Sequence, residues 1–331
     1  MKRKSAGFTL IELLVGMGIA TFVVSGLLYM VVELLQTNQK ESAQTETQGD
    51  MQQALDFMSS ELREAVYIYG GDCLQSQGTG TLINGVPSAD YCPGIVNYIP
   101  DVITNSTSNS IPILAFWKLE TLPKNLQDKC NNNTADTAVP CAAGKAYSLI
   151  VYFLRKNQST DTTNWSGKAR ITRYALTQYD SDGVANTNYV TPAQTGVTFR
   201  IWPYKNNAGT LNNLQASKPT GDAVTLVDFV DDTVRAGDSN VSCPTNYNLT
   251  PSSTILSNNT YASGAFSGVR SLYACVRGGT GDEAGFNQDV FVFLRGNAYG
   301  RTGINNDSFL PTLQTQVLRR GIVNKVPSPL Q

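Results

Sequence analysis

The stretch Gly7-Phe8-Thr9-Leu10-Ile11-Glu12-Leu13-Leu14-Val15, with the apolar run that continues to Val32, decides the fold of this 331-residue chain. A short basic leader, residues 1–6, precedes it and carries two lysines and an arginine. No residue from Leu13 to Val32 is charged, so Glu12 is the one acid at the start of an otherwise apolar segment. That combination is the most informative feature of the sequence.

The segment from Phe8 to Val32 is long enough to cross a bilayer as a helix, which needs roughly 20 apolar residues. A helix satisfies its own backbone hydrogen bonds in lipid. The basic leader predicts that the N-terminus stays cytoplasmic and that the rest of the chain is exported. A carboxylate in such a segment is costly and needs a partner, and the sequence offers Glu12 none within the chain.

Two simpler interpretations explain less. A secretory signal has an apolar core of about 7–15 residues followed by a small-residue cleavage site, whereas this run is longer and no Ala-x-Ala site follows it. A plain membrane anchor accounts for the length of the run. It accounts neither for Glu12 nor for the Gly7–Phe8 junction.

The quoted stretch resembles the class III signal of type IV pilins and pseudopilins. The resemblance implies that a prepilin peptidase cleaves after Gly7 and that the new N-terminal residue, Phe8, is N-methylated. It also implies that Glu12 neutralises the terminal amine of a neighbouring subunit during assembly. Such a pair of opposite charges is far stronger among apolar helices than in water.

Composition narrows the function further. The net charge of −1 gives no electrostatic case for nucleic-acid binding. The chain has no histidine, which excludes Ser-His-Asp and Cys-His catalytic systems and His-ligated zinc. We therefore expect neither an enzyme nor a cofactor. The Asn-, Thr-, Ser- and Gly-rich remainder favours a loop-rich β domain outside the cytoplasm.

Six cysteines, none in a Cys-x-x-Cys pair, predict disulfides in an exported domain. Fifteen pairings are formally possible for six cysteines. Proximity along the chain favours three neighbouring pairs, which are Cys73–Cys92, Cys130–Cys141 and Cys243–Cys275.

The helical pattern continues beyond the apolar run. Apolar residues recur every three or four positions between Met51 and Tyr69, and Gly70-Gly71 offers a helix end. The sequence thus predicts one helix from Phe8 to Tyr69, roughly 90 Å long. Its single apolar stripe predicts that a sheet packs on the second half, at Met51, Leu55, Met58, Leu62, Ala65, Val66 and Tyr69.

After a loop over residues 71–110, strand-like runs alternate with polar loops. The fold class is therefore α+β, with one long N-terminal helix and an antiparallel β-sheet head. The predicted strands are Ile111–Leu119, Tyr147–Leu154, Arg170–Tyr179, Val197–Tyr204, Ala223–Phe229, Val269–Val276, Asp289–Arg295 and an edge strand at Leu313–Val323.

Residues 51–69 resemble PilW-like minor pilins and J-type pseudopilins, and in particular pseudopilins of the HpsC type from cyanobacterial hormogonium polysaccharide secretion. This resemblance implies a subunit that primes or caps a type IV pilus-like fibre, in polysaccharide secretion and gliding motility or in type II secretion. Its partners would be other pilins, the prepilin peptidase and an inner-membrane assembly platform, with the head in the periplasm. The implied segments are a leader (1–7), a transmembrane assembly helix (8–35), its amphipathic continuation (36–70) and a disulfide-bearing head (71–331).

Two further possibilities remain open at the level of sequence. Asp180 and Asp182 resemble part of a calcium loop, but the remaining ligands are missing, so a turn is the simpler interpretation. The acidic residues Asp228, Asp231 and Asp232 predict a solvated turn. A tip adhesin is the alternative function, with sugars stacking on tryptophans that otherwise belong to the core, namely Trp117, Trp165 and Trp202.

Overall fold

The structure, a computed structural model, describes residues 9–74, 78, 80–83, 86–88, 91–104, 109–158, 164–253, 268–278, 289–307 and 309–318. It begins with the helix α1 (Leu10–Arg63), about 80 Å long at 1.5 Å per residue. The architecture is the expected α+β arrangement of a long N-terminal helix followed by antiparallel sheets. Two short helices, α2 (Asp101–Thr104) and α3 (Lys124–Asn131), lie in the loops.

The described residues form thirteen strands. They are β1 (Ala65–Ile68), β2 (Leu82–Ile83), β3 (Val86–Pro87), β4 (Ser110–Thr121), β5 (Lys145–Lys156), β6 (Ala169–Leu176), β7 (Tyr204–Asn207), β8 (Thr210–Asn213), β9 (Val224–Val230), β10 (Tyr247–Thr250), β11 (Leu272–Arg277), β12 (Asp289–Arg295) and β13 (Thr312–Leu318).

The strands build two main sheets rather than one. The first has the order β1-β4-β5-β6-β9 and the second the order β10-β11-β12-β13, with every pair antiparallel. Two small hairpins, β2-β3 and β7-β8, stand apart. The C-terminal half of α1 lies against strands of both sheets, chiefly β13, β12, β9 and β4.

The predicted end of the helix at Tyr69 is wrong. Helix α1 ends at Arg63, and Ala65–Ile68 pairs instead with β4 as an edge strand. β-Branched and aromatic residues of this segment fit a half-buried strand better than a helix, and β4 supplies the partner. Gly71 does not end the helix. A Cβ there would come within 2.1 Å of the Leu249 carbonyl oxygen, so glycine allows β10 to pass close by.

The predicted strand Val197–Tyr204 is also wrong over most of its length. Residues 197–203 form turns, and only Tyr204 begins a strand. Phe199, Ile201 and Trp202 are buried, but the chain turns on itself, and the backbone N–H of Trp202 donates to the Thr198 carbonyl at 3.0 Å. Pro203 cannot donate to a sheet ladder, which disfavours a strand here.

The buried stripe of α1 agrees with the predicted sheet-facing side. Met51, Leu55, Met58 and Leu62 are each no more than 1 % exposed. They share one core with apolar side chains of both sheets. The head and the second half of the helix are therefore held together by a common hydrophobic core.

Three disulfides tie down the loops. They join the neighbouring cysteines in sequence, Cys73–Cys92, Cys130–Cys141 and Cys243–Cys275. Cys275 lies in β11, so the third bridge fastens the segment before β10 to the middle of the second sheet.

Candidate functional site

The first turn of α1 contains the predicted assembly residue. Gly7 and Phe8 lie outside the described residues, whereas Thr9 is the N-cap of the helix. The Thr9 hydroxyl accepts from the Glu12 N–H at 3.4 Å, and the Glu12 carboxylate accepts from the Thr9 N–H at 3.1 Å and its hydroxyl at 2.8 Å. This capping box holds the carboxylate over the helix N-terminus, next to the predicted cleavage site.

The helix projects from the head without any cover. Every residue from Leu10 to Ser42 is exposed, a length of about 50 Å at 1.5 Å per residue. Large apolar side chains such as Leu10 and Phe22, each 83 % exposed, lie on all sides of it. Within the described residues this is the one helix long and apolar enough to cross a membrane. A Cβ added at Gly16, Gly18 or Gly26 would meet no atom within 4 Å.

A buried ionic cluster joins the end of this helix to the first sheet. Glu61, 6 % exposed, accepts from the Lys118 ammonium at 2.7 Å and from Arg173 Nη2 and Nε at 2.7 and 2.9 Å. The Tyr152 hydroxyl donates to Oε2 of the Glu61 carboxylate at 2.5 Å. Glu120 completes the cluster, 3.0 Å from Lys118. Two acids and two bases balance, so the cluster is neutral overall.

The neighbouring side chains of the cluster set the protonation state of Glu61. Burial alone raises the pKa of the Glu61 carboxyl, but the hydrogen bonds from Arg173, Lys118 and Tyr152 outweigh it and lower that pKa to about 2. Burial and the neighbouring carboxylate of Glu61 raise the pKa of Tyr152, so its hydroxyl remains a donor. Glu61 is therefore ionised at neutral pH and pins α1 to β4, β5 and β6.

A second junction contacts the helix further toward its N-terminus. The connection between β12 and β13, which we name the collar (residues 296–307 and 309–311), packs Ala298, Ile304 and Phe309 on Ala43 of the helix. Arg301 of the collar pairs with Asp50 and, at 2.7 Å, with Glu46.

Strand β9 supports the collar from the other side. The Arg301 guanidinium lies 3.9 Å from the centre of the Phe229 ring, a cation–π contact. Gly296 has no room for a side chain, since a Cβ there would come within 3.0 Å of Met51 Cγ. The collar therefore fixes the head against the helix close to where the exposed apolar part begins.

The weak calcium candidate has the geometry of a turn. Asp180 Oδ1 accepts from the backbone N–H groups of Asp182 at 2.9 Å and Val184 at 2.8 Å, and Gly183 takes a positive φ of 74°. Asp182 contributes its backbone carbonyl to the Asn125 side chain. Across the ranges that the structure describes, no three acidic or cysteine side chains lie close enough together to hold a metal ion.

The prediction of a solvated acidic turn at Asp228, Asp231 and Asp232 is wrong. Asp231 is fully buried and accepts from Arg295 Nε at 2.9 Å and from Asn297 at 3.1 Å. Asp228 accepts from the Gly167 N–H at 2.9 Å. Asp231 therefore links the end of β9 in the first sheet to the end of β12 in the second. Asp228 and Asp232 bind residues beside β5 and β6 within the first sheet.

Two of the three tryptophans offered as sugar platforms belong to the core. Trp117 and Trp202 are fully buried, and their rings lie edge to face with centres 5.2 Å apart. Trp165 is partly exposed, with the Arg170 guanidinium 5.4 Å from its ring centre. Stacking of a ligand on Trp117 or Trp202 is therefore excluded.

Sequence reasoning missed the ionic cluster and the collar. A signal for the cluster was present, because Glu61 lies three residues after Met58 and next to Leu62, on the stripe predicted to be buried. A charged residue in such a stripe needs a buried partner. Arg301 carried no comparable signal, since its partners are some 250 positions away in the chain.

The comparisons with known proteins agree with the geometry of the N-terminal segment. Residues 2–28 match the family of the prokaryotic N-terminal methylation motif. Neither the curated proteins nor the solved structures gave a match. The matched family is structural rather than enzymatic, and the exposed apolar helix fits a membrane-anchored subunit. The chain thus carries a type IV pilin-like methylation signal, which supports a pilin- or pseudopilin-like subunit that assembles with other pilins.

Proposed function

We propose that this protein is a minor pilin or pseudopilin, a non-enzymatic structural subunit of a type IV pilus-like fibre. The observation that carries the proposal is the exposed apolar helix with the Glu12 carboxylate at its N-terminus. An uncovered apolar surface of this length is stable only in lipid or against similar helices. The helix therefore lies in the inner membrane before assembly and in the core of the fibre after assembly. The head lies in the periplasm.

Assembly follows from the first turn. A prepilin peptidase cleaves after Gly7, and Phe8 becomes the methylated N-terminal residue. The amine of a neighbouring subunit then approaches the Glu12 carboxylate, which the capping box already holds at the helix end. In a helix bundle that excludes water, this pair of charges selects the register between subunits. The uncovered surface at Gly16, Gly18 and Gly26 permits close helix packing.

The finer assignment is to a subunit that primes or caps the fibre. The likeness of residues 51–69 to PilW-like and J-type subunits supports it, as does the size of the disulfide-bearing head. We assign the fibre to polysaccharide secretion and gliding motility, with the inner-membrane assembly platform as a partner. Type II secretion is the alternative machine, and the large cysteine-bearing loops favour it less.

The test is Glu12→Ala in the native cell. The variant should insert and lose its leader, because the cleavage site is intact, yet its incorporation into fibres should fall at least about tenfold when a buried ion pair is lost. The measurements are mass spectrometry of the N-terminus of membrane-extracted protein and quantitative immunoblotting of sheared fibres.

Two controls separate processing from assembly. Gly7→Ala should retain the leader and abolish incorporation, whereas Glu41→Gln, an exposed acid on the same helix, should change neither. A wild-type N-terminus that still begins at Met1 would overturn the pilin assignment. Normal incorporation of the Glu12→Ala variant would overturn the proposed role of the carboxylate.

A further inference from the structure

A cleft of about 350 Å³ opens in the head. Its walls come from the segment that follows β6 and from the residue after β8. The lining residues are Gln178, Ala185, Asn186, Tyr189, Val190, Thr191, Gln194 and Leu214. The volume falls at the lower end of the range of about 300–1,000 Å³ typical of small-molecule sites.

The chemistry of the lining is neutral and rich in amides. No Asp, Glu, Lys or Arg is among the lining residues, so the cleft offers no counter-charge to an anion or a cation. Three side-chain amides and a threonine hydroxyl alternate with the ring of Tyr189 and the apolar Val190 and Leu214. Amides both donate and accept hydrogen bonds, which suits a ligand with many hydroxyl groups.

Internal hydrogen bonds occupy the nitrogen ends of two of these amides. The Asn186 amide nitrogen donates to the Thr177 carbonyl at 2.7 Å and to its hydroxyl at 3.0 Å, so the amide oxygen is the end that can accept from a ligand. The Gln178 nitrogen donates to the Tyr179 hydroxyl at 3.1 Å, which likewise leaves its oxygen. Gln194 is exposed, and within the described part of the chain its side chain has no hydrogen-bond partner.

The walls are rigid, which lowers the cost of ordering on binding. The Tyr189 hydroxyl donates to the Tyr147 carbonyl at 2.6 Å, and the indole N–H of the buried Trp202 donates to the Val190 carbonyl at 2.7 Å. The Asn186 N–H donates to the Gln178 carbonyl at 2.9 Å and closes the opposite wall. The Tyr189 ring is thereby held as a fixed apolar surface beside the amides.

We propose that this cleft binds a neutral saccharide, about one or two sugar rings in size. The side-chain amides of Gln178, Asn186 and Gln194 form hydrogen bonds with the sugar hydroxyl groups. Tyr189 and Leu214 pack on an apolar face of the sugar ring. An anionic ligand is disfavoured by the lack of cations, and a fully apolar one by the amides. The proposal does not depend on the role of the helix in a fibre.

The experiment is saturation-transfer difference NMR on the full chain in a detergent without a sugar headgroup, such as dodecylphosphocholine. The probes are maltose, cellobiose and N,N′-diacetylchitobiose, with glucuronic acid as the charged comparison. At least one neutral disaccharide should bind with an affinity of about millimolar, as expected of a small, partly open site. Glucuronic acid should give no signal.

Paired variants locate the site. Ala185→Trp fills the cleft from an exposed position and should abolish the signal, whereas Ala142→Trp on another exposed loop should not. Gln194→Ala should weaken binding about fivefold, the worth of about one hydrogen bond, and Gln314→Ala on the exposed face of β13 should leave it unchanged. Thermal unfolding by circular dichroism checks that each variant is folded.

Several outcomes would overturn the proposal. They are silence from every neutral disaccharide, a signal that persists in Ala185→Trp, and binding of glucuronic acid alone. Loss of fibre incorporation by Glu12→Ala bears on the fibre role only, so failure of either proposal is recognisable separately.

Discussion

At the scale of single residues, charged groups in apolar surroundings carry the most information. Glu12 has only its own Thr9 as a hydrogen-bond partner among the described residues, which suits a carboxylate kept for another subunit. Glu61 has three partners within the chain, two of them cations. Glutamate thus stands in two different settings on one helix, exposed at its start and buried among cations near its end.

Replacing Glu61 by Gln should lower the free energy of unfolding by about 3 kcal/mol, because the change leaves Lys118 and Arg173 buried without their main counter-charge. Glu41→Gln, an exposed acid on the same helix, should cost less than about 0.5 kcal/mol. Urea unfolding of the full chain in detergent measures both.

The pH dependence of the same variant checks the cause. The folded pKa of Glu61 is about 2, below the value of about 4.3 of an unfolded glutamate, so its contribution is complete above about pH 5 and is lost as the pH falls toward 2. The stability difference between wild type and Glu61→Gln should therefore shrink over that interval. A difference that stays constant from pH 6 to about pH 2 would mean that lost packing, not lost charge, is responsible.

At the scale of elements, partners elsewhere in the chain decide what a segment becomes. Residues 65–68 continue the helical stripe, yet they form a strand because β4 is there to pair with them. Residues 197–203 alternate like a strand, yet they form turns over the core. By contrast, the strand predicted at Asp289–Arg295 has the predicted bounds, because its β-branched and aromatic residues also find neighbours on both sides.

The disulfides differ in what they hold. Replacing both Cys243 and Cys275 by Ala should reduce the free energy of unfolding by about 4 kcal/mol, since this bridge closes a loop of 32 residues onto the buried β11. Replacing both Cys130 of α3 and Cys141, with a separation of 11, should reduce it by about 3 kcal/mol. Urea unfolding under non-reducing conditions compares the two, and the reverse order would contradict the loop-closure argument.

At the scale of the whole molecule, two junctions hold the head on the helix. The ionic cluster lies near the end of α1, and the collar lies about four turns earlier, at Ala43 and Glu46. Between them runs the apolar stripe that begins at Met51. Two separated attachments restrict both sliding and rotation of the head on the helix, so the two are held as one unit.

Removal of the Arg301 side chain should loosen the collar without unfolding the head. In Arg301→Ala, amide hydrogen exchange at Ala298 and Ile304 should speed up by about tenfold, which corresponds to about 1.4 kcal/mol. The effect should be no larger because the partner acids Glu46 and Asp50 are half-exposed to water, which weakens their ion pairs with Arg301. Arg277→Ala, with a side chain 55 % exposed, serves as the control. Unchanged exchange in the collar would show that apolar packing on Ala43 alone holds it.

The long apolar helix, its acidic start and the α+β class follow from the chain read residue by residue, because an unbroken apolar run and a short motif are local features. The pairing of the six cysteines could also be predicted, from their separation along the chain alone. The tertiary structure alone decided where the helix ends, that the sheet is divided in two, and that Glu61 and Asp231 are buried in ion pairs. It also decided which amides line the cleft. Each of these depends on groups distant in sequence, whose contacts replace water and override the local pattern.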